Sequence, residues 1–457
     1  MNDLTKGKPI AVILQFAIPL LIGSFFQLAY NFADSMIVGH TLGKDSFASV
    51  GSTASLIFLI IGFAQGVTNG LTIISAQRFG AGDLEGLKKS FVHGLFYASL
   101  ISLLLTVSAL AFLKPILVLM QTPVSIIDHS HAFLTAMFGG LTFTIFYNFL
   151  SSALRSLGNS KTPLLALVIA CFINIGLDFF FILVMNWGVF GAGFATILAQ
   201  ACSVLFLIFY IIHKVPHYHI GLADLKLDRG NLKKHAQLAF PMGFQASIIA
   251  IGAMTLQFMV NQLGTDAIAA QAIALRTDQL AMLPMVNLGL AIATFTAQNY
   301  GAKLYDRIRE GVRHSLLLSI AWAIVFAVIL ILGNRFFSGL FLPNASQTVL
   351  DLALVYYIIN GSCYWIVASL FILRSFIQGL GKGFIPTLAG FGELIFRAAV
   401  AIIGMQYFGF YGTAAANPAA WIGSIIVLIP SSIIFMKKIK SRTKYLEKKT
   451  HETLMRF

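Results

Sequence analysis

Residues 76–81 read Ala76-Gln77-Arg78-Phe79-Gly80-Ala81, and residues 297–302 read Ala297-Gln298-Asn299-Tyr300-Gly301-Ala302. The two stretches stand 221 residues apart, and the same offset recurs around them. Leu42-Gly43-Lys44-Asp45 returns as Leu263-Gly264-Thr265-Asp266, and His93 returns as His314. Gly188-Val189-Phe190-Gly191 returns as Gly409-Phe410-Tyr411-Gly412. Pro19 and Pro241 match within one residue of the offset, and Pro163 and Pro386 within two. One register kept over most of the chain marks two homologous halves. In a very apolar chain, duplicated halves are the pattern of a carrier with its binding site between two repeats.

The chain is apolar enough for that reading. Of 457 residues, 58% are hydrophobic and 11% charged, with a mean hydropathy of +0.85. A soluble domain carries about 25% charged residues. The three cysteines, Cys171, Cys202 and Cys363, are scattered in apolar runs. An odd, scattered set speaks against a disulfide framework or a zinc site. The first apolar stretch is too long for a signal peptide, and no small-residue cleavage site closely follows it.

Twelve apolar runs can each cross about 30 Å of hydrocarbon as a helix. They fall near 10–38, 46–77, 90–113, 126–152, 163–185, 190–213, 235–262, 267–298, 312–333, 347–374, 385–405 and 411–436. Strands of a closed barrel would be short and alternating, so the expected fold is an all-α membrane protein. Its organisation is a six-helix lobe over 1–213, a polar loop over 214–234, a second six-helix lobe over 235–436 and a basic tail over 437–457. Six is an even number, so both halves enter the membrane in the same direction and should be pseudo-symmetric.

Net charge is +14, and its distribution explains it. With these spans, 26 Lys and Arg fall on the side of the termini and three, Lys44, Lys114 and Arg335, on the other; Arg276 and Arg397 lie within spans. The excess places both termini in the cytoplasm of a cell-membrane protein. The charge therefore serves topology rather than nucleic-acid binding, and the tail from Lys437 to Arg456 suits anionic lipid.

Four acids lie inside spans: Asp34, Asp178, Asp278 and Glu393. Intramembrane carboxylates are costly and mark ion or substrate pathways. Asp34 and Asp178 fall late in the first and fifth spans, at similar depth. Asn174 precedes Asp178 by four residues and shares its face, and Thr196 falls early in the sixth span. No basic residue is available at that depth, so the two carboxylates should share a proton or bind a cation. The second half does not repeat this chemistry, because the match to Asp34 falls near Thr255. Glu393 and Arg397 stand four apart and can pair directly on one helix face. Arg276 and Asp278, two apart, point to different faces, and Asp278 could meet substrate in a central cavity.

Gly62, Gly66 and Gly70 line one face of the second span and permit close packing. Pro19 can bend the first span and so move Asp34, which makes it a candidate hinge. Gly379-Leu380-Gly381-Lys382-Gly383 lacks the spacing of a phosphate loop, and no HExxH motif occurs. His129 and His131 sit near an outer loop without a catalytic constellation. No enzyme activity and no cofactor are expected.

Together these residues resemble the multidrug and toxin extrusion (MATE) transporters. The resemblance rests on Tyr30-Asn31-Phe32-Ala33-Asp34, Leu42-Gly43, and Gln77-Arg78-Phe79-Gly80-Ala81-Gly82. It also rests on Leu154-Arg155-Ser156-Leu157-Gly158-Asn159, Gly191-Ala192-Gly193 and Gln298-Asn299-Tyr300-Gly301-Ala302. It implies a V-shaped pair of six-helix bundles and export of amphipathic, often cationic, small organic compounds in exchange for Na⁺ or H⁺, by a chain acting as a monomer among membrane lipids. The residues matching the family's cation site are Asp34, Asn174, Asp178 and Thr196, with Ala192 offering a carbonyl; Tyr147 and Asn148 match the polar lining nearby. Some members use a Glu on the seventh helix and an Asp on the tenth, where this chain has Gln245, Ser247 and no acid. The competing reading is a lipid-linked oligosaccharide flippase of the same superfamily, for which only Arg276 and Arg397 would supply basic lining.

Overall fold

The computed structural model describes residues 3–120, 122–342 and 345–454, except for the side chains of residues 44, 222, 223 and 444–454. The end of the tail expected to touch lipid, including Arg456, lies outside the described residues. The described chain is helical throughout. In order the helices are α1 (Pro9–Leu42), α2 (Lys44–Gly80), α3 (Leu84–Ala111), α4 (Leu113–Leu119), α5 (Val124–Gly139), α6 (Leu141–Ser156), α7 (Lys161–Phe179) and α8 (Gly188–Lys214). The second half continues with α9 (Arg229–Asn261), α10 (Thr265–Gly301), α11 (Tyr305–Leu332), α12 (Asn334–Phe341), α13 (Gln347–Gly361), α14 (Tyr364–Gly379), α15 (Phe384–Phe408), α16 (Phe410–Ala414) and α17 (Ala416–Leu454). In lipid the backbone must satisfy itself, and helices do so within one segment.

Ten stretches are each long and apolar enough to cross a membrane, and two bent pairs bring the number to 12. The fourth and tenth expected spans are the bent pairs: α5 meets α6 at 46°, and α13 meets α14 at 48°. The first bend falls at Gly140, where an added Cβ would lie 1.8 Å from Ile197 Cγ2. The side chain of Ile197 occupies the place a larger residue would need.

The repeat is visible in the backbone as well as in the sequence. Gly43 and Gly264 take φ of +83° and +93°, and Gly188 and Gly409 take +57° and +55°. Gly82 at +71° is matched by Lys303 at +61°, so the turn shape persists even where glycine is lost and strain is accepted.

Two compact units emerge. One comprises residues 18–243, and the other comprises residues 3–17 with 244–457. These divisions differ from the expected ones at 213 and 235. The polar segment 214–234 and the start of α9 belong to the first unit for a physical reason: Tyr218 stacks on Phe91 with ring centroids 4.2 Å apart and hydrogen-bonds Ser156 at 3.0 Å. Tyr97 Oη donates to Leu232 O at 3.1 Å, and Ser90 hydrogen-bonds His235 at 2.9 Å. The N-terminal residues belong to the second unit because Gln298 accepts from Leu4 N at 3.1 Å, Asn299 donates to Leu4 O at 3.2 Å, and Arg307 donates to Gly7 O at 2.6 Å.

Each unit is held by close helix approach rather than by large side chains alone. In the first, Gly66 and Gly70 of α2 face the backbone of Met242 and Ala239 on α9; an added Cβ would sit 2.4 and 2.6 Å from it. In the second, Gly392 of α15 meets Gly423 of α17, again with only 2.6 Å for a Cβ. Lipid tails are as apolar as leucine, so packing of this kind supplies much of the association energy.

Candidate functional site

Three helices of the first unit build a buried polar cluster. Asp34 comes from α1, Asn174 and Asp178 come from the last turns of α7, and Ala192 and Thr196 come from the first turns of α8. Asn174 and Asp178 are fully buried. The Asp34 and Asp178 carboxyl groups are close neighbours. The Asn174 amide, turned so that donor meets acceptor, donates to Asp178 Oδ2 at 3.0 Å and accepts from Thr196 N at 3.1 Å. Thr196 Oγ1 donates to Ala192 O at 3.2 Å. Asp34 Oδ1 and Asp178 Oδ1 are both buried and have no hydrogen-bond partner. No Lys or Arg among the described residues forms an ion pair with either carboxyl group.

Local structure explains how Asp178 reaches this place. Directly after it the helix widens into a π turn over Phe180–Val184, a feature frequent at functional sites. The turn is backed by an aromatic cluster: Phe181 stacks on Trp187 at 5.0 Å and meets Phe194 edge-on at 5.3 Å. These rings cover the end of α7 on the side beyond Asp178.

Tyr30 joins the cluster although the residue chemistry did not single it out. Its Oη donates to Thr196 Oγ1 at 3.2 Å, and it stands four residues before Asp34, on the same helix face. That spacing was the available signal. Of the expected polar lining, Asn148 donates to Thr144 O at 2.9 Å, and Thr144 in turn bonds Gln200. Neither Tyr147 nor Asn148 hydrogen-bonds the two carboxyl groups.

The second unit handles its acids differently. The expected Glu393–Arg397 pair does not form. Glu393 instead pairs with Arg374 of α14, which also donates to Ser424 Oγ at 3.2 Å. In the sequence Arg374 ends the tenth apolar run and falls on the side of the termini; a helix continuing to Gly379 draws it into the interior, where it is 8% exposed. Its signal was the repeat itself, since Leu154-Arg155-Ser156 returns as Leu373-Arg374-Ser375. Arg155, its counterpart, donates to Ser152 and Asn69 at 2.5 and 3.3 Å. Arg397 keeps one long bond to Ile249 O at 3.4 Å. Asp278 is buried and accepts from Tyr356 at 2.6 Å and from Tyr364, so it already has protein partners where an open contact for substrate was expected. Arg276 is exposed on another face of α10.

Two neighbouring buried carboxyl groups, with one oxygen of each lacking a hydrogen-bond partner, can hold a proton or admit a small cation. Among the described residues no group of three or more His, Cys, Asp or Glu is placed to hold a metal ion.

Similarity to known proteins agrees with this architecture. The MatE family model matches residues 19–180 and again 241–403, one match to each half. The chain is 30% identical over 302 residues to the probable multidrug resistance protein YpnP of Bacillus subtilis (strain 168), covering 65% of this chain and 67% of that one. It is 29% identical over 336 residues to the probable multidrug resistance protein YoeA of the same organism, covering 72% and 73%. Its fold matches the outward-facing conformation of a multidrug resistance MATE family transporter of the MOP superfamily, with a TM-score of 0.89 over 96% of this chain and 98% of that one, at 22% identity. A doubled family match, set on two six-span halves, assigns the chain to the MatE family, the multidrug and toxin extrusion transporters.

Proposed function

We propose that this protein is a proton-coupled antiporter that exports amphipathic, cationic organic compounds across the cell membrane. The observation that carries the reading is a pair of neighbouring buried carboxyl groups, Asp34 and Asp178, each with an oxygen that has no hydrogen-bond partner. Two carboxylates so close disfavour double ionisation and share a proton, and no Lys or Arg among the described residues forms an ion pair with either. Their two orphaned oxygens leave room for a cation such as Na⁺, so the choice of ion is part of the test. The names of the Bacillus relatives support multidrug substrates.

Exchange follows from differential affinity. A state that binds the coupling proton at Asp34 and Asp178 releases substrate, and a state that binds substrate releases the proton. Asp34 rides on α1, which carries Pro19 inside it. Proline removes one backbone bond from the helix, so Pro19 serves as the hinge through which occupancy of the site bends α1. The excess of cations on one side sets both termini in the cytoplasm. The chain acts as a monomer in contact with membrane lipids.

The test is efflux of a fluorescent organic cation from proteoliposomes, under a pH gradient and a Na⁺ gradient applied separately. Efflux driven by the pH gradient alone, and lost in Asp34→Asn and Asp178→Asn, is the expected result. Efflux driven by Na⁺ alone changes the ion, and undiminished efflux in both variants removes the site from the mechanism.

A further inference from the structure

Asp278 is the most completely partnered acid in the second unit, and its partners lie on both sides of a bend. Its Oδ2 accepts from Tyr356 on α13 at 2.6 Å, and its Oδ1 accepts from Tyr364, the first residue of α14. Those helices are the two limbs of one apolar span, bent by 48°. Tyr356 Oη also accepts from Asn417 Nδ2 at 3.0 Å, so its own hydrogen is committed to Asp278. Two phenols donating to two carboxylate oxygens is the pattern of an ionised carboxylate, since a protonated carboxyl presents one donor and loses acceptor capacity.

The other charged and titratable groups are accounted for. On α13, Tyr357 bonds Thr277 rather than Asp278. On α15, Arg397 lies beside Tyr356 but forms no ion pair with Asp278, and Glu393 is taken by Arg374. On α10, Arg276 points away to the surface. From α17 the neighbours are Asn417 and Trp421, whose ring lies 6.1 Å from that of Tyr364.

We propose that Asp278 is a proton-binding site that locks the bend of the α13–α14 span: ionised, it holds one phenol from each limb, and a proton landing on one oxygen displaces that oxygen's phenol and frees its limb. The proton comes from water and stays on the carboxyl; the displaced tyrosine keeps its own hydrogen. The limb so released carries Arg374, which is paired to Glu393 on α15, so the motion passes to α15. The first half has no such lock. Residue 57, which matches position 278, is Ile57, and the α5–α6 bend is filled by the apolar contact of Ile197 with Gly140. The site is independent of Asp34 and Asp178 and goes beyond the coupling proposed for them.

The test uses the full-length protein in nanodiscs, with Cys171, Cys202 and Cys363 replaced by Ser. Spin labels at Asp351→Cys in α13 and Lys382→Cys just beyond α14, both exposed, report the separation of the two limbs by pulsed EPR. The pH is varied between about 8 and about 4, a range that brackets carboxylate titration. Infrared difference spectra over the same range follow the C=O band of a protonated carboxyl group. The expected wild-type result is a pH-dependent shift in the label distance together with a carboxyl band. Asp278→Asn, a neutral mimic, should remove the component of the band that titrates together with the distance, and show the low-pH distance at both ends. Tyr364→Phe should lose most of the distance change, which keeps the test alive if Asp278→Asn fails to fold. Asp34→Asn should leave both signals in place, so failure of the coupling reading at Asp34 is seen separately. A distance that does not move with pH, or one that still moves in Asp278→Asn, overturns the proposal.

Discussion

Asp178 and Asp278 are both buried carboxyl groups on long apolar helices, one in each unit, yet their surroundings are opposite. Around Asp278 every oxygen is met: Tyr356 and Tyr364 donate to it, and Asn417 supports Tyr356. Around Asp178 one oxygen accepts from Asn174, the neighbouring side chain is another acid, Asp34, and one oxygen of each acid is left over. Glu393 extends the contrast, since it has a guanidinium partner in Arg374 where the pair in the first unit has none. A satisfied buried acid serves as part of the scaffold while its partners stay in place. An unsatisfied one fits the ion-coupling role proposed for Asp34 and Asp178. Two halves with the same backbone thus divide labour by side chain, one keeping a loose acid pair and the other tying its acids down.

This comparison can be broken most sharply at the loose pair. Asp34→Asn and Asp178→Asn should each reduce gradient-driven efflux by about 5- to 150-fold, the range spanned by coupling free energies of about 1–3 kcal/mol, while the variants still fold. Proteoliposome efflux alongside a thermal melt in detergent separates the two effects. A large loss of stability without a specific loss of coupling would put Asp178 in the same class as Glu393.

The tied acid should behave in the reverse way. Arg374→Ala leaves Glu393 buried without its partner, and breaking such a pair costs about 3–5 kcal/mol. The expected readout is a large drop in melting temperature and in yield of folded protein. Replacing both partners together, Arg374→Met with Glu393→Leu, should recover much of the loss, because no uncompensated charge then remains.

Packing is a third point of comparison. Gly392 and Gly423 bring α15 and α17 together with 2.6 Å available for a Cβ. Gly392→Ala should therefore cost about 1–3 kcal/mol through overpacking, measured by the same melt. Gly139 in the first unit has nothing within 4 Å of the corresponding position, and Gly139→Ala should be close to neutral.

The smallest effect lies in the turns that the repeat preserves. Asp83 caps α3 by accepting from Gly86 N at 2.8 Å, and that bond, helped by Arg78, holds its carboxyl below the usual range. Residue 304, at the matching place before α11, is Leu304 and offers no side-chain cap. Asp83→Ala should cost about 0.5–2 kcal/mol. Because the folded carboxyl is held low, this contribution is present at neutral pH and fades as pH falls through the carboxylate range. Leu304→Asp should add a comparable cap to the second unit.

Much of this architecture was legible because its causes are local or periodic. Span number follows from apolar length, and duplication follows from a fixed offset between matching turns. The cluster of Asp34, Asn174, Asp178 and Thr196 could be anticipated because costly groups at one membrane depth must find one another. Tyr30 was equally local, four residues from Asp34, but a tyrosine in an apolar helix carries no cost that would draw notice. Glu393 could be read as a group needing a cation; the sequence offered Arg397 on the same face, and the structure chose Arg374.

What the sequence alone determined is therefore the class of fold, its two halves, and the acids that the membrane makes expensive. Only the tertiary structure decided which acids are satisfied. It bent the fourth and tenth spans, carried residues 214–243 into the first unit and residues 3–17 into the second, and left Asp34 and Asp178 as neighbours with no ion-pair partner among the described residues. The physical reason is that burial cost is a property of a residue, while its compensation depends on partners up to 303 residues away, as in the bond from Arg307 to Leu4, and only packing brings such partners together.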